Sequence, residues 1–268
     1  MKLAFIGGGA MAEAMLKGVL AQKLARPDEV AVGEVVEARR ATLRERYGVS
    51  VTGDNRQAAK GAELVVLSIK PQNLAEATAS LRGALTSNQV ALSIVAGGKM
   101  ETLIGGLDFR RVVRVMPNTP AQIGAGMSVW TASDDVSPEG REAARKLLKT
   151  LGEELYVSQE RLLDVATALS GSGPAYVFLF IEALEDAGVY LGLSRDMARV
   201  MSVQTVLGSA MLAKGSEALP AELRARVTSP GGTTAEALRV LDEGAFRATL
   251  VSAVIAAYEK SVALGSKQ

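Results

Sequence analysis

The sequence predicts two domains, a doubly wound α/β domain with a mostly parallel sheet followed by an all-helical domain. Three observations predict it. From residue 1 to about residue 157, short β-branched apolar runs alternate with helical patterns. A glycine-rich turn joins the first of these runs directly to the first helical pattern. From about residue 158 the strands stop and long helical segments take over. Alternation of strand and helix implies βαβ units and a parallel sheet. The expected domains are therefore 1–157 and 158–268.

In the first domain, Leu3 to Ile6, Val30 to Val32, Leu64 to Leu67, Val90 to Ile94, Val112 to Val115 and Met127 to Trp130 read as strands. Met11 to Leu24, Val36 to Tyr47, Asn73 to Leu85 and Pro138 to Leu151 have helical spacing between them. Pro138 behind Ser137 is a first-turn proline after a capping serine, a strong helix start.

In the second domain, helices are expected over Glu160 to Leu169, Pro174 to Leu191, Arg195 to Leu212, Thr233 to Leu241 and Phe246 to Leu264. Their breaks are Ser170-Gly171-Ser172-Gly173, Gly192, Leu219-Pro220 and Ser229-Pro230-Gly231-Gly232. The Pro174 helix is apolar on most faces through Tyr176, Val177, Phe178, Leu179, Phe180 and Ile181. A helix apolar nearly all round is buried nearly all round. A partner subunit is the natural cover, with a core inside the chain as the alternative.

Composition removes several classes of function. Lys and Arg number 30 and Asp and Glu 29, for a net charge of +1, so no basic excess points to nucleic acid. No uninterrupted apolar run reaches the roughly 18 residues that span a bilayer; the longest, around Ala175 to Leu184, is broken by Glu182. Met1 to Ile6 carries one charge and then glycines, without a secretory signal pattern. The expectation is a cytoplasmic protein with neither nucleic-acid nor membrane partners. With no cysteine and no histidine, disulfides, the commonest zinc sites and Ser-His-Asp or Cys-His chemistry are excluded. Proton transfer must rest on a hydroxyl, a carboxylate, a lysine, the backbone or water.

Gly7-Gly8-Gly9-Ala10-Met11-Ala12 matches G-x-G-x-x-G/A at the end of the first strand. In this fingerprint of a Rossmann-type dinucleotide-binding domain, Gly7 allows the tight turn and Gly9 lets the backbone approach a pyrophosphate. Ala12 lets helix and sheet pack closely. Ile6, Ala10 and Met11 flank the same turn, whose helix start offers free N–H groups and a positive dipole end. Glu34, at the end of the second strand, suits the adenosine ribose hydroxyls and repels a 2′-phosphate, which leans to NADH. A solvated loop glutamate is the alternative, and Arg39 or Arg40 could instead meet a 2′-phosphate. Ser68-Ile69-Lys70-Pro71, Val95-Ala96-Gly97 and Pro117-Asn118-Thr119-Pro120 come after later strands, at the sheet end where ligands sit in open α/β folds. Each could also be a bare structural loop.

Two reductase classes fail by residue. None of Tyr47, Tyr156, Tyr176, Tyr190 and Tyr258 has a lysine four positions on, as short-chain dehydrogenases need. The catalytic lysine of β-hydroxyacid dehydrogenases has no counterpart between Ser170 and Ile181. The run Leu219 to Leu238, containing Ser229-Pro230-Gly231-Gly232-Thr233-Thr234, resembles instead the signature of pyrroline-5-carboxylate reductases. The resemblance covers the whole chain. It takes in the Gly7 fingerprint, Ile69-Lys70-Pro71, Ala96-Gly97, Met116-Pro117-Asn118-Thr119-Pro120, Leu169 to Tyr176 and Gly244-Ala245-Phe246-Arg247.

The resemblance implies NAD(P)H-dependent reduction of 1-pyrroline-5-carboxylate to L-proline, the last step of proline biosynthesis. It also implies an all-α dimerisation domain, with intertwined dimers that assemble further into rings such as decamers. Ser229, Gly231, Gly232 and Thr233 would cradle the substrate carboxylate, as a glycine-rich turn opening a helix suits an anion. The Thr234 hydroxyl would meet the ring nitrogen. Glu217 and Glu160 would lie near the substrate, Asn55 by the adenosine phosphate, and Ser68, Ile69, Lys70, Pro71, Ala96 and Asn118 along the cofactor. Glu34 departs from relatives with a serine or basic pair there, which puts the usual NADPH preference in doubt; Arg226 carries over no role. A six-membered cyclic imine is an alternative substrate. A dinucleotide sensor without turnover is an alternative function, against which the intact Ser229 to Thr234 loop argues.

Overall fold

The computed structural model describes residues 1–265; residues 266–268 of the expected second domain lie outside them. Eight strands form one sheet in the order β3-β2-β1-β4-β5-β6-β7-β8. They are β1 (Leu3–Ile6), β2 (Val30–Gly33), β3 (Ser50–Thr52), β4 (Leu64–Leu67), β5 (Val90–Ser93), β6 (Val112–Met116), β7 (Gly126–Ala132) and β8 (Gly152–Tyr156). All pairings are parallel except β6 with β7. β1, β4 and β5 are buried at every residue, which is why they read as unbroken apolar runs.

Alternate residues of each strand serve two cores. Leu3 and Phe5 join Met15, Leu16 and Val19 of α1 (Ala10–Ala21) and Leu147 and Leu148 of α6 (Pro138–Lys149). Ala4 and Ile6 join Leu81 of α4 (Leu74–Leu81) and Leu103 and Leu107 of α5 (Met100–Leu107) on the other face. The helix α2 (Glu37–Tyr47) contributes Leu43 to the first core, and α3 (Asn55–Ala59) contributes Ala58 and Ala59 to the second. Sequence reading passed over β3, α3, α5 and β8. Two of these are the edge strands of the sheet. The helix α5 carries two glycines, and a Cβ on Gly106 would stand 2.7 Å from Oγ1 of Thr78 in α4. The glycine that disguises the helix is what lets it pack on α4.

Strands end at Tyr156, and helices succeed them: α7 (Leu162–Ala166), a π-turn at Thr167–Gly171, α8 (Gly173–Tyr190), α9 (Arg195–Lys214), α10 (Pro220–Arg226), α11 (Thr233–Glu243) and α12 (Phe246–Gly265). The compact units divide elsewhere than at residue 157. The first is Met1–Ser172 with the chain from Ala257 onwards, and the second is Gly173–Ala256. Residues after 157 stay with the sheet because Leu163 and Ala166 pack on Val129 of β7. The end of α12 does so because the Ser261 hydroxyl donates to Asp164 at 2.8 Å.

In the second unit, α8 buries no residue within the chain. Phe178 is 62% and Leu179 66% exposed, so a core inside the chain does not cover this helix. Phe180 and Phe246 meet at a ring separation of 6.3 Å. By length and composition alone, Leu162–Tyr190 and Phe246–Gly265, each with mean hydropathy 1.2, pass the test for crossing a membrane. Charges such as Glu182 and Glu259 still interrupt the apolar runs within them.

Candidate active site

The chain reverses direction of winding between β1 and β4, which pair with each other at the centre of the sheet. Ligands bind in the crevice outside the carboxyl ends of strands at such a point. Here a cleft of about 530 Å³ opens, lined by Gly7, Gly9, Gly33, Glu34, Asn55, Ser68, Ile69 and Lys70 among others. Residues singled out in four separate stretches of sequence thus converge on one space. Ile6 is fully buried beneath it, and Ala10 and Met11 form the first turn of α1.

The fingerprint turn is explained position by position. Gly7 has φ +94°, and a Cβ there would stand 2.8 Å from both Ile69 Cγ2 and the Ser68 carbonyl oxygen. Gly9 is extended, caps α1 without a side-chain hydrogen bond, and a Cβ there would meet nothing within 4 Å. That open space beside uncapped first-turn amides fits a pyrophosphate. Ala12, 2% exposed, lies in the helix–sheet seam.

Side chains then hold the turn from outside. Ser68 Oγ donates to the Gly7 carbonyl at 2.8 Å, and Glu34 Oε2 accepts from the Gly8 amide at 2.8 Å. Glu34 Oε1 accepts from Val36 N at 2.9 Å. Arg39 Nε donates to the Gly8 carbonyl at 2.6 Å and its Nη2 to Glu13 at 2.5 Å. Arg46 and Tyr47 also donate to Glu13, each at 2.7 Å. The hydrogen bond from Arg39, then that from Tyr47, lowers the Glu13 carboxyl from 4.5 to about 2. Arg40 donates to the Glu34 carbonyl at 2.5 Å and pairs with Glu37. Sequence reasoning missed Glu13; its only signal was an acid in the first turn of a fingerprint helix.

Other predicted residues are placed differently. Asn55 Nδ2 donates to Ser80 Oγ at 2.9 Å at the cleft wall. Pro71 faces a separate groove with Thr78 and Arg82. Ala96 is exposed in the turn after β5. Asn118 does not line the cleft: its Oδ1 accepts from Met127 N at 2.8 Å and its Nδ2 donates to the Ser170 carbonyl at 3.1 Å, bracing β6 against β7 and the π-turn. Glu160 accepts from Arg114, whose side chain is 7% exposed, at 2.7 Å and from Met100 N at 2.6 Å. It neutralises a buried cation and caps α5, since a buried charge needs a partner.

In the second unit, Ser229 to Thr234 forms the turn that opens α11. Gly231 is left-handed at φ +68°, and Gly232 is the extended N-cap without a side-chain hydrogen bond. A Cβ on Gly232 would collide with Ser229 Oγ. Thr233 is exposed and Thr234 half-buried in the first helical turn; Glu217 is exposed between α9 and α10. This is a second helix start led by glycine, with amides open to an anion.

Residues 160–264 match the family described as pyrroline-5-carboxylate reductase dimerisation, and residues 2–97 match NADP oxidoreductases, coenzyme F420-dependent. The chain is 43% identical to a pyrroline-5-carboxylate reductase of Synechocystis, over 100% of this chain and 99% of that protein. The structure of a pyrroline-5-carboxylate reductase from Coxiella burnetii has a TM-score of 0.93 at 36% identity, covering 98% of each chain. That of Plasmodium falciparum pyrroline carboxylate reductase, with NADP bound, has a TM-score of 0.89 at 30% identity, covering 99% of this chain and 98% of that one. Matching such relatives from end to end, in sequence and in fold, the chain belongs to the pyrroline-5-carboxylate reductase family.

Proposed function

We propose that this chain reduces 1-pyrroline-5-carboxylate to L-proline with a nicotinamide cofactor, as the last step of proline biosynthesis. The observation that carries the reading is the pair of glycine-led, uncapped helix starts, at Gly9 and at Gly232, in a chain of this family. The first suits a pyrophosphate and the second a small carboxylate. A bound nicotinamide dinucleotide supplies the hydride. The chain's own residues bind and orient. Amides of Gly232, Thr233 and Thr234 hold the substrate carboxylate, with Ser229 and Gly231 shaping the turn. The Thr234 hydroxyl holds the ring nitrogen, where a proton is retained or gained from water. Orientation and fixed dipoles then lower the barrier without a histidine. Glu217 stands near the substrate, while Ala96 and Lys70 border the nicotinamide side.

Glu34 tilts the preference to NADH, because a carboxylate beside a 2′-phosphate is repulsive. The exposed apolar length of α8 supports a homodimer that assembles further, a decamer being the expected ring. The working compartment is the cytoplasm. One assay tests the reading: the purified protein is mixed with the imine and NADH or NADPH, and the nicotinamide absorbance is followed. Turnover with NADH exceeding that with NADPH is expected, and Glu34→Ser should move the ratio toward NADPH. No oxidation of either dinucleotide would refute the reduction, and a faster reaction with the six-membered imine would reassign the substrate.

A further inference from the structure

The sequence offers Arg39 and Arg40 as partners for a 2′-phosphate, yet both are committed elsewhere. Arg40 places Nη1 on the Glu34 and Val35 carbonyls and pairs with Glu37. Arg39 donates from Nε to the Gly8 carbonyl and from Nη2 to Glu13, which takes up that edge of its guanidinium. Glu13 belongs to α1, and Arg39, Arg46 and Tyr47, which converge on it, belong to α2.

The two peptide planes of the fingerprint turn are gripped in sequence. The Gly7–Gly8 plane is held by Ser68 at its oxygen and by Glu34 at its nitrogen. The Gly8–Gly9 plane is held by Arg39 at its oxygen. A trans peptide is planar, so fixing that oxygen on Arg39 sends the Gly9 N–H the opposite way. Gly9 lines the cleft and Arg39 does not, and nothing stands near the position of a Gly9 Cβ. The orientation of this amide is therefore set by a side chain whose Nε–Nη2 edge is held between the Gly8 carbonyl and Glu13.

We infer that Arg39, locked by Glu13, is a positioning residue for the pyrophosphate cradle and does not read the adenosine 2′ position. The inference deepens the proposed function and rests on its dinucleotide site. A rigid two-point bridge from Glu13 to a backbone oxygen needs the planar guanidinium; lysine has the charge without the fork.

The test measures direct binding of NADH and of NADPH, by nicotinamide fluorescence without imine, to wild type, Arg39→Gln, Arg39→Lys and Glu13→Gln. Thermal melting is monitored in parallel. Losing one charged hydrogen bond that preorganises the cradle should weaken both dinucleotides about tenfold in Arg39→Gln. Glu13→Gln should reproduce the loss for both, and Arg39→Lys should rescue it only in part, with the NADPH-to-NADH ratio unchanged throughout. Selective loss of NADPH in Arg39→Gln would overturn the inference in favour of 2′-phosphate contact. So would a selective gain of NADPH in Glu13→Gln, the mark of simple charge removal. Lower melting with wild-type affinity for both dinucleotides would reduce the bridge to a fold contact. Should Arg39→Gln fail to fold, Glu13→Gln and Arg39→Lys decide between these outcomes. A wild-type protein that binds dinucleotide but leaves the imine untouched would refute the proposed reduction and leave this inference standing.

Discussion

Gly7 and Gly9 sit two residues apart in one turn, and the structure predicts opposite fates for their replacement by alanine. Gly9 has φ −69° and ψ −176°, a conformation open to any residue, and its Cβ would enter empty space. Gly9→Ala gains about 0.4–1 kcal/mol from a less flexible unfolded chain. It loses a comparable amount, roughly 0.5–1 kcal/mol, because alanine is a poor N-cap. The melting temperature should therefore hardly move. The new methyl stands where a phosphate would approach the first-turn amides. Losing one charged hydrogen bond of about 1.5–3 kcal/mol weakens dinucleotide binding about tenfold to a hundredfold. Gly7→Ala meets φ +94° and a backbone oxygen at 2.8 Å. Strain of about 1–3 kcal/mol and overpacking of similar size remove much of a typical domain's stability. Thermal denaturation and NADH titration on the two variants check this. Wild-type affinity in Gly9→Ala, or equal melting losses in both, would refute the division of labour within the turn.

Thr234→Ala should lower kcat/KM about tenfold to a hundredfold, the worth of one hydrogen bond to a charging group, while Thr234→Ser retains most activity; full activity in a folded Thr234→Ala protein would remove the hydroxyl from the mechanism. Phe178→Asp places a charge on a face that is 62% exposed in the single chain, so it should give inactive or insoluble protein, and sedimentation of the wild type as a stable, active monomer would contradict the assembly. The Glu13 carboxyl is lowered from 4.5 to about 2, so its contribution is present above pH 4.5 and disappears as pH falls toward 2. The stability advantage of wild type over Glu13→Gln, read by denaturant titration, should shrink across that window; a constant difference would mean the carboxyl is unpaired.

Much of this was legible in the sequence because it is local. Strands β1, β4 and β5 are buried on both faces and show as apolar runs, and the fingerprint lies within consecutive residues at a strand end. The edges were not legible: β3 is Ser50–Thr52 and β8 begins at Gly152, with polar residues between, so neither carries a core pattern. Long-range partnerships were invisible for a different reason. Glu13 and Arg39 are 26 residues apart, and Arg114 and Glu160 are 46 apart. Nothing in either segment names its partner until the fold brings the two segments together. Asn118 shows the limit of reasoning from position alone. It comes after a strand at the ligand end of the sheet, as a contact residue would, yet its amide is taken up by Met127 and Ser170.

Two helix starts, those of α1 and α11, are led by glycine, and the proposed function places its anions there. At α3, α6 and α9 a side chain closes the first turn: Asp54 accepts from Arg56 N and Gln57 N, Ser137 from Gly140 N, and Ser194 from Met197 N. Each such cap contributes about 1 kcal/mol over alanine, and glycine falls only a few tenths short of it. At α1 and α11 the cap is glycine and no side chain takes the amides. An aspartate at either place would stabilise the helix slightly. It would also set a carboxylate against the phosphate or carboxylate that the turn must hold, and like charges in a partly desolvated site destabilise by more than a cap contributes. At position 232 a Cβ would also crowd Ser229 Oγ, which would have to shift. The two glycine caps therefore give up a few tenths of a kcal/mol of helix stability, and what they keep open in exchange is the set of first-turn amides to which the proposed function assigns its anions.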